Sequence, residues 1–413
     1  IMEIENLRKE NKLIDLFCTL AKIPSPSGQE DKVSDKIIEI LTNAGIKAEY
    51  DDFKNVIAKI PATDPTKKPV ALSAHMDVIG DNSPVNICYD GKFIETDKKR
   101  TLGADDKAGV AAAMQLAMEI ASDKDLKHGG LELVFTKDEE QGLSGINHFD
   151  FSRLESEYVL VIDADKAGQI LVAGASYTNA ILSVNAFKGG HSGIDIADKT
   201  RANAVKLIAE LINEIPQGVY KANELGVITS INVGSVIGGG VEPCIKQISD
   251  ESIKSECFVD YISEKSMTNL INTHARARYS IRSSEVDTEN ELIAKIQKIV
   301  EDFNKKYDGI ASAEFLVTPH LPAFERSNDD TIEKVGKEAC EKAGLKPDIS
   351  SFHAGAETHV YAKQKNKNGV PFKPYLIGSA DVFNMHSPDE KMDAASYLKG
   401  YESIKNMFLI FNK

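Results

Sequence analysis

The sequence is poor in cysteine and does not arrange its cysteines in pairs. The five cysteines are odd in number and scattered, without a Cys-x-x-Cys spacing, at Cys18, Cys88, Cys244, Cys257 and Cys340. Small secreted domains that depend on disulfides carry an even number of cysteines at regular spacings. The pattern therefore argues against a disulfide framework, fits a reducing compartment, and predicts a cytoplasmic protein.

The sequence also lacks an excess of basic residues and a long apolar run. Lys and Arg number 49 against 63 Asp and Glu, and the net charge of −14 argues against nucleic acid or an anionic lipid surface as partner. The longest apolar run, around residues 111–121, contains Gln115 and Glu119 and is expected not to span a membrane. Residues 3–11 are charged and no apolar stretch follows them, so we expect neither a signal peptide nor a targeting helix.

Two motif classes are missing as well. The chain has no Gly-x-Gly-x-x-Gly motif and no Cys-x-x-Cys motif, which argues against a nucleotide-binding or redox enzyme. The glycine run 238–240 lacks the Lys and the Ser or Thr of a phosphate-binding loop.

The first part of the chain shows sequence patterns of helices and strands in alternation. The 413 residues exceed what one hydrophobic core usually supports, so we expect two domains. Apolar residues recur at helical spacing in residues 13–20, 33–41 and 108–121. Three short β-branched runs predict strands at residues 70–73, 131–135 and 158–162. Strands that alternate with helices predict an α/β domain with a mixed, mostly parallel sheet.

The pattern changes near residue 177. A strand, a Gly-Gly turn, a helix, two strands and a second helix then predict a compact α+β unit of the ferredoxin-like kind. The α/β pattern resumes after about residue 322. We therefore predict that residues 1–178 and 323–413 form one α/β domain, into which a domain of residues 179–322 is inserted.

Three of the predicted α/β strands lead into imidazole or carboxylate side chains. His75 and Asp77 follow the first strand, Glu139 and Glu140 follow the second, and Asp163 ends the third. In an open α/β sheet the carboxyl ends of the strands face a shared crevice. We expect these side chains to meet there.

Two further candidates come from loops. Asp105 precedes a predicted helix in the segment Gly-Ala-Asp-Asp-Lys, where the crevice can meet a helix N-terminus, and His386 lies in Asn-Met-His-Ser-Pro-Asp-Glu. Imidazole and carboxylate without thiolate suit Zn²⁺. One carboxylate can also bridge two such ions about 3.5–4 Å apart.

These ligands predict a two-metal hydrolytic centre. In this hypothesis His75 and Asp163 hold one ion, Glu140 and His386 hold the other, and Asp105 bridges them. Zinc is the expected metal, with cobalt and manganese left open because affinity order alone does not decide occupancy. The ions would lower the pKa of a water and polarise the scissile carbonyl.

Two neighbouring carboxylates have predicted supporting roles. Asp77 is placed to accept the second imidazole N–H of His75 and so to fix the ring. Glu139 lies beside a ligand and suits a general base. Each feature alone also fits an ordinary reading, as a polar loop, a helix cap or a solvated charge pair. Their common position at strand ends favours the metal hypothesis.

Five motifs in this order and spacing resemble those of the cocatalytic zinc exopeptidases, a family that includes peptidase T, aminoacylase, glutamate carboxypeptidase and succinyl-diaminopimelate desuccinylase. They are His-x-Asp at 75–77, Gly-Ala-Asp-Asp-Lys-Ala-Gly at 103–109, Asp-Glu-Glu-x-Gly at 138–142, Val-Ile-Asp at 161–163 and His-Ser-Pro-Asp-Glu at 386–390. The second motif and the aspartate at position 163 look most like the peptidase T-like tripeptide aminopeptidases. The resemblance implies hydrolysis of short peptides with two metal ions.

The resemblance implies further roles in the inserted domain. That domain is expected to act as a lid and to form a homodimer, with His191 of Gly-Gly-His-Ser-Gly reaching the partner's active site to stabilise the oxyanion. Arg282 resembles the family arginine that binds the substrate carboxylate, and Asn269 resembles a substrate-contacting asparagine. A capping or surface histidine and a surface ion pair are the alternatives for His191 and Arg282.

The sequence departs from the family pattern in two places. It inserts residues 241–265 before the Thr-Asn turn and has Asn272 in place of a proline, so the motif around Asn269 matches only in part. The segment His-Ala-Gly-Ala-Glu-Thr-His at 353–359 looks like that of broad-specificity dipeptidases in the same family. Its spacing is not His-Glu-x-x-His, so we do not expect a separate zinc site there.

Tripeptide aminopeptidase and dipeptidase activity therefore both remain open. An N-acyl amino acid deacylase would use the same metals and base. A metal-binding scaffold without catalysis is a third possibility, against which the retained Glu139 argues.

Overall fold

The structure is a computed structural model that describes residues 4–239, 263 and 266–413. Apart from residue 263, the predicted insertion at 241–265 lies outside the described residues. The chain divides into two compact units, one formed by Ile1–Gly174 and Phe324–Lys413, the other by Ala175–Ala323.

The described chain contains both helices and strands. The helices are α1 (Ile4–Glu10), α2 (Lys12–Ala21), α3 (Asp31–Asn43), α4 (Ala104–Ser122), α5 (Ser144–Asn147), α6 (Ala204–Glu214), α7 (Val286–Lys306), α8 (Thr331–Lys342), α9 (Glu357–Tyr361) and α10 (Ala394–Phe411). The strands are β1 (Ala48–Tyr50), β2 (Val56–Ile60), β3 (Val70–His75), β4 (Ile87–Tyr89), β5 (Phe93–Thr96), β6 (Leu131–Thr136), β7 (Tyr158–Ala164), β8 (Gln169–Gly174), β9 (Tyr177–Ala186), β10 (Gly190–His191), β11 (Gly218–Asn223), β12 (Gly226–Gly238), β13 (Leu270–Ile271), β14 (His274–Ser283), β15 (Ala311–Leu321), β16 (Asp348–Phe352), β17 (Lys373–Gly378), β18 (Val382–Phe383) and β19 (Lys391–Asp393). None of the helices within the described ranges combines the length and the apolar character needed to cross a lipid bilayer.

The first unit is built on an eight-stranded sheet with the order β1-β2-β6-β3-β7-β17-β8-β16. Strands β6, β3, β7 and β17 are parallel neighbours, whereas β2 pairs antiparallel with β6 and β8 pairs antiparallel with β17. A smaller antiparallel sheet has the order β18-β19-β5-β4. The predicted α/β class with a mixed, mostly parallel sheet is confirmed.

The central strands of this sheet are buried on both faces. Every residue of β3 and β6 is buried, which explains why these strands read as continuous apolar runs instead of alternating patterns. Helix α4 packs on β3 and β7 through small residues. A Cβ atom at Gly109 of α4 would lie 2.2 Å from the carbonyl oxygen of Ile162, so this close approach requires glycine.

The second unit is an α+β unit with a five-stranded antiparallel sheet of order β11-β12-β14-β9-β15. The succession β9-α6-β12-β14-α7-β15 is the β-α-β-β-α-β order of a ferredoxin-like fold, with β11 added at one edge. Helices α6 and α7 contribute to its core, which includes Leu182, Leu211, Ile281 and Leu292. Strands β9 and β14 alternate between buried and more exposed residues because only one face of the sheet packs on these helices.

Candidate metal centre

The sheet of the first unit brings three polar strand ends to one edge. Strand β3 lies between β6 and β7 and runs parallel to both. His75 is the last residue of β3, Asp163 lies one residue before the end of β7, and Glu139 and Glu140 follow β6. Because the carboxyl ends of parallel strands open to the same side, these residues converge although they are far apart in sequence.

Asp105 lies between two imidazoles. Its Oδ1 atom is 3.1 Å from Nε2 of His75, and its Oδ2 atom is 3.0 Å from Nε2 of His386. Asp163 Oδ1 lies 3.4 Å from Nε2 of His75, and Glu140 Oε1 lies 2.9 Å from Nε2 of His386. The structure thus brings together all five residues predicted as metal ligands, in two groups that share Asp105.

The donor atoms of these two groups fit divalent cations. The ligand atoms of His75, Asp105 and Asp163 lie within 4.8 Å of one another, and the same holds for Asp105, Glu140 and His386. Imidazole nitrogens and carboxylate oxygens are ligands of Zn²⁺. A carboxylate with each oxygen directed at a different group is what a bridge between two ions needs.

The centre holds more negative charge than its own side chains neutralise. Burial raises the pKa of Asp163 to about 6 and the pKa of Glu140 to about 7, although the nearby His75 opposes the rise in both. In the described part of the chain, neither Lys nor Arg forms an ion pair with Asp105, Glu139, Glu140 or Asp163. Since a carboxylate removed from water needs a counter-charge, bound cations would stabilise this cluster.

Asp77 connects His75 with the loop after β6. Its backbone carbonyl lies 3.0 Å from Nδ1 of His75, closer than its carboxylate Oδ1 atom at 3.4 Å. The carboxylate accepts hydrogen bonds from the backbone N–H of Glu139 at 2.9 Å and of Glu140 at 3.1 Å. A third donor to it is the hydroxyl of Ser27, at 2.8 Å. The carboxylate that was predicted to fix the ring thus lies farther from it than the backbone carbonyl does, and its shorter hydrogen bonds hold Ser27 and the Glu139–Glu140 loop.

The sequence profile described as Peptidase family M20/M25/M40 matches residues 71–409. The chain belongs to this family. Peptidase T of Geobacillus kaustophilus is 22% identical over 451 residues, which cover 98% of this chain and 99% of that protein. The cytosol non-specific dipeptidase of Escherichia coli is 27% identical over 230 residues, 48% of this chain and 46% of that protein. The crystal structure of aminopeptidase PepT from Bacillus cereus is similar with a TM-score of 0.79 at 22% identity, covering 97% of this chain and 98% of that chain.

Membership in the M20 family confirms the predicted family and activity class. The chain is a metal-dependent exopeptidase of short peptides. Its cofactor is a pair of divalent metal ions, in agreement with the two groups of ligand atoms around Asp105.

Sequence patterns did not identify three buried carboxylates that surround the M20 centre. Asp106 accepts a hydrogen bond from the backbone N–H of His75 at 3.2 Å, and Glu30 accepts one from the N–H of Asp138 at 2.9 Å. Glu390 accepts hydrogen bonds from the loop that carries the shared aspartate. Asp106 and Glu390 lie inside family motifs and could have been found there, whereas no motif marks Glu30.

His191 of the M20 chain lies in the second unit, on the short strand β10 that pairs with β13. Its Nδ1 atom accepts hydrogen bonds from the backbone N–H groups of Gly193 at 3.1 Å and Ile194 at 3.2 Å. A neutral imidazole that accepts at Nδ1 carries its proton on Nε2. The exposed ring therefore presents an N–H donor.

Arg282 and Asn269 also lie in the second unit. The guanidinium of Arg282 lies 4.7 Å from the centre of the Tyr177 ring, which in turn stacks on His320 at 5.6 Å. Asn269 is exposed, and its backbone carbonyl accepts the N–H of Ser192 at 3.0 Å. Within this unit, Asn269 thus contacts the loop that carries His191.

Proposed function

We propose that this M20 enzyme binds two Zn²⁺ ions and removes N-terminal residues from di- and tripeptides. His75 and Asp163 would hold one ion, Glu140 and His386 the other, and Asp105 would bridge them. The observation that carries the proposal is the position of Asp105, whose two oxygens lie 3.1 Å and 3.0 Å from different imidazoles. When bound, the ions would supply a water of lowered pKa and a polarised scissile carbonyl.

Glu139 is the proposed general base. It would take a proton from the attacking water and pass it to the nitrogen of the leaving amine. The amine would then depart as a neutral group and not as an amide anion. Burial raises the pKa of Glu139 well above the ordinary value. The backbone N–H of Glu139 donates to the carboxylate of Asp77 at 2.9 Å, which holds the residue in place. A carboxyl group with a raised pKa, held beside the metal ligands, can accept a proton and release it again in one catalytic cycle.

Three residues of the second unit have proposed substrate roles. His191 would donate its Nε2–H to the developing oxyanion in the active site of a partner subunit, which requires a homodimer. Arg282 would bind the carboxylate of the peptide, and the Tyr177 ring at 4.7 Å supports its guanidinium. Asn269 would contact the substrate beside His191, a role supported by the hydrogen bond from the N–H of Ser192 to its carbonyl.

A cytoplasmic location is also proposed. Within the described part of the chain, the cysteines Cys18, Cys88 and Cys340 are free. Free cysteines, two of them buried, suit a reducing compartment.

The test is a comparison of substrates with controlled metal content. The protein is stripped with a chelator, titrated with Zn²⁺, and assayed on free di- and tripeptides and on acetylated or succinylated amino acids. We expect uptake of two ions and turnover of the free peptides. Preference for the acylated amino acids would show a deacylase instead, and metal uptake without any turnover would show a binding scaffold.

A further inference from the structure

Glu390 is a buried carboxylate between the start of α4, which carries Asp105, and the loop that carries His386. Only 1% of the residue is exposed. One carboxylate oxygen accepts a hydrogen bond from the N–H of Gly103 at 2.8 Å and another from the hydroxyl of Thr101. The other oxygen accepts the N–H of Asp105 at 3.2 Å. The carboxylate of Glu390 therefore accepts a hydrogen bond from the backbone of Asp105, the proposed bridging residue.

The same residue closes the loop of His386. The backbone N–H of Glu390 donates to the carbonyl of Ser387 at 3.1 Å, and the Ser387 hydroxyl donates to the carbonyl of Asn384 at 2.7 Å. The first bond closes the turn that follows His386, and the second spans His386, which has a left-handed φ of 61°. Because a positive φ is uncommon in residues other than glycine, the bonds around His386 help to set its direction.

Strand pairing also fixes the position of the chain that follows Glu390. Glu390 immediately precedes β19, which pairs with β5 through Met392 and Ile94. Strand β5 leads into the segment that contains Thr101 and Gly103. The two segments, one after β5 and one before β19, are therefore already neighbours in the small sheet. The carboxylate of Glu390 adds hydrogen bonds between them and sets their relative position.

We infer that Glu390 is a positioning residue that fixes Asp105 relative to His386 for metal binding, an inference that rests on the proposed function. Its two oxygens must both accept, because every group directed at them is an N–H or O–H donor. An amide at this position would turn an NH₂ group toward one of these donors. The proposed role therefore depends on the carboxylate and not on side-chain volume.

The experiment compares Glu390→Gln with a matched control, Glu132→Gln. Glu132 is also a buried carboxylate that accepts hydrogen bonds from the N–H groups of Glu155 and Ser156 and from the Ser156 hydroxyl. Unlike Glu390 it also pairs with a lysine, Lys59, at 2.8 Å, so the control tests Zn²⁺ affinity and not the size of the Tm change. It lies at the start of β6, whereas Glu139 and Glu140 follow the end of that strand. Both full-length variants are stripped of metal and titrated with Zn²⁺ by calorimetry, and kcat, KM and Tm are measured.

We expect Glu390→Gln to weaken binding of at least one Zn²⁺ ion about 10–100-fold and to lower kcat more than it changes KM. Glu132→Gln should lower Tm but retain wild-type Zn²⁺ affinity. The inference is overturned if Glu390→Gln lowers only Tm, as the control does. If Glu390→Gln does not fold, Thr101→Val removes a single donor and should show a smaller loss of Zn²⁺ affinity; unchanged affinity in that variant also overturns the inference. Wild-type protein that takes up no Zn²⁺ would instead refute the proposed function itself, and the inference with it.

Discussion

The carboxylate of Asp77 accepts the backbone N–H of Glu139 at 2.9 Å. The neighbouring N–H of Glu140 donates to the other oxygen of the same carboxylate at 3.1 Å. One fully buried aspartate thus sets the backbone of both the proposed base and a proposed ligand. Hydrogen bonds with His75 and with these donors lower the pKa of Asp77 to about 2 despite its burial, so it remains an acceptor at neutral pH.

Replacement of this carboxylate is expected to disturb the loop. In Asp77→Asn an NH₂ group must face one of the backbone donors, so we expect kcat/KM to fall about 10–100-fold. Steady-state kinetics with Zn²⁺ in excess measures the change. Asp123→Asn is the control, because Asp123 likewise accepts two backbone N–H groups, those of Asp125 and Leu126, after the end of α4. Equal activity of the two variants would contradict a positioning role for Asp77.

Substitutions at Glu139 and Glu140 should have different effects, one on turnover and the other on metal binding. Glu139→Gln retains side-chain shape but cannot accept a proton, so kcat should fall about 10²–10⁴-fold with two Zn²⁺ ions still bound. Glu140→Gln should instead weaken the binding of one ion. Metal analysis and kinetics on the same samples distinguish the two effects. Near-normal turnover in Glu139→Gln would refute its assignment as the base.

Mixing two inactive variants tests whether His191 acts across a dimer. His191→Ala should lower kcat about 10²–10³-fold, because one oxyanion donor is lost, and should not change Zn²⁺ affinity. In a heterodimer with Glu139→Gln, one site combines an intact Glu139 with an intact His191 from its partner. Free subunit exchange should then restore roughly a quarter of wild-type turnover by random pairing. Activity no higher than the sum of the separate variants would place His191 outside the partner's site.

Glu357 is expected to make the stability of the metal-free protein depend on pH. Burial raises its pKa from 4.5 to about 7, against hydrogen bonds from Thr136 and Ser73 that lower it. Because the folded pKa exceeds the unfolded one, this stabilising contribution is complete below about pH 4.5 and is lost as the pH rises through about 7. Relative to Glu357→Gln, wild-type protein should lose about 3 kcal/mol of unfolding free energy over that range.

Denaturant titrations of chelated protein at several pH values measure this difference. Glu10→Gln is the control, since Glu10 is exposed on α1, and its curve should run parallel to that of the wild type. A constant difference between wild type and Glu357→Gln across the range would contradict the prediction.

Different parts of the centre were accessible from sequence to different degrees. His75 and Asp163 follow apolar runs, so their position at strand ends could be predicted from the pattern alone. Asp105, at the start of α4, and His386, in a loop, could be proposed as ligands from their residue types, but no local pattern shows that these two segments meet at 3.0 Å. Glu30 could not be predicted, because its hydrogen bond to the N–H of Asp138 joins two loops without a shared motif.

The sequence by itself determined the α/β and α+β succession, the identity of the five ligand-type side chains and the residue types that suit two divalent ions, because apolar periodicity and ligand chemistry are local properties. Only the tertiary structure decided which oxygen of Asp105 is directed at which imidazole, that Asp77 mainly holds the Glu139–Glu140 loop, and that Glu390 joins two loops. Those relationships depend on the direction of backbone N–H groups in separate segments, and that direction is established only when the segments pack together.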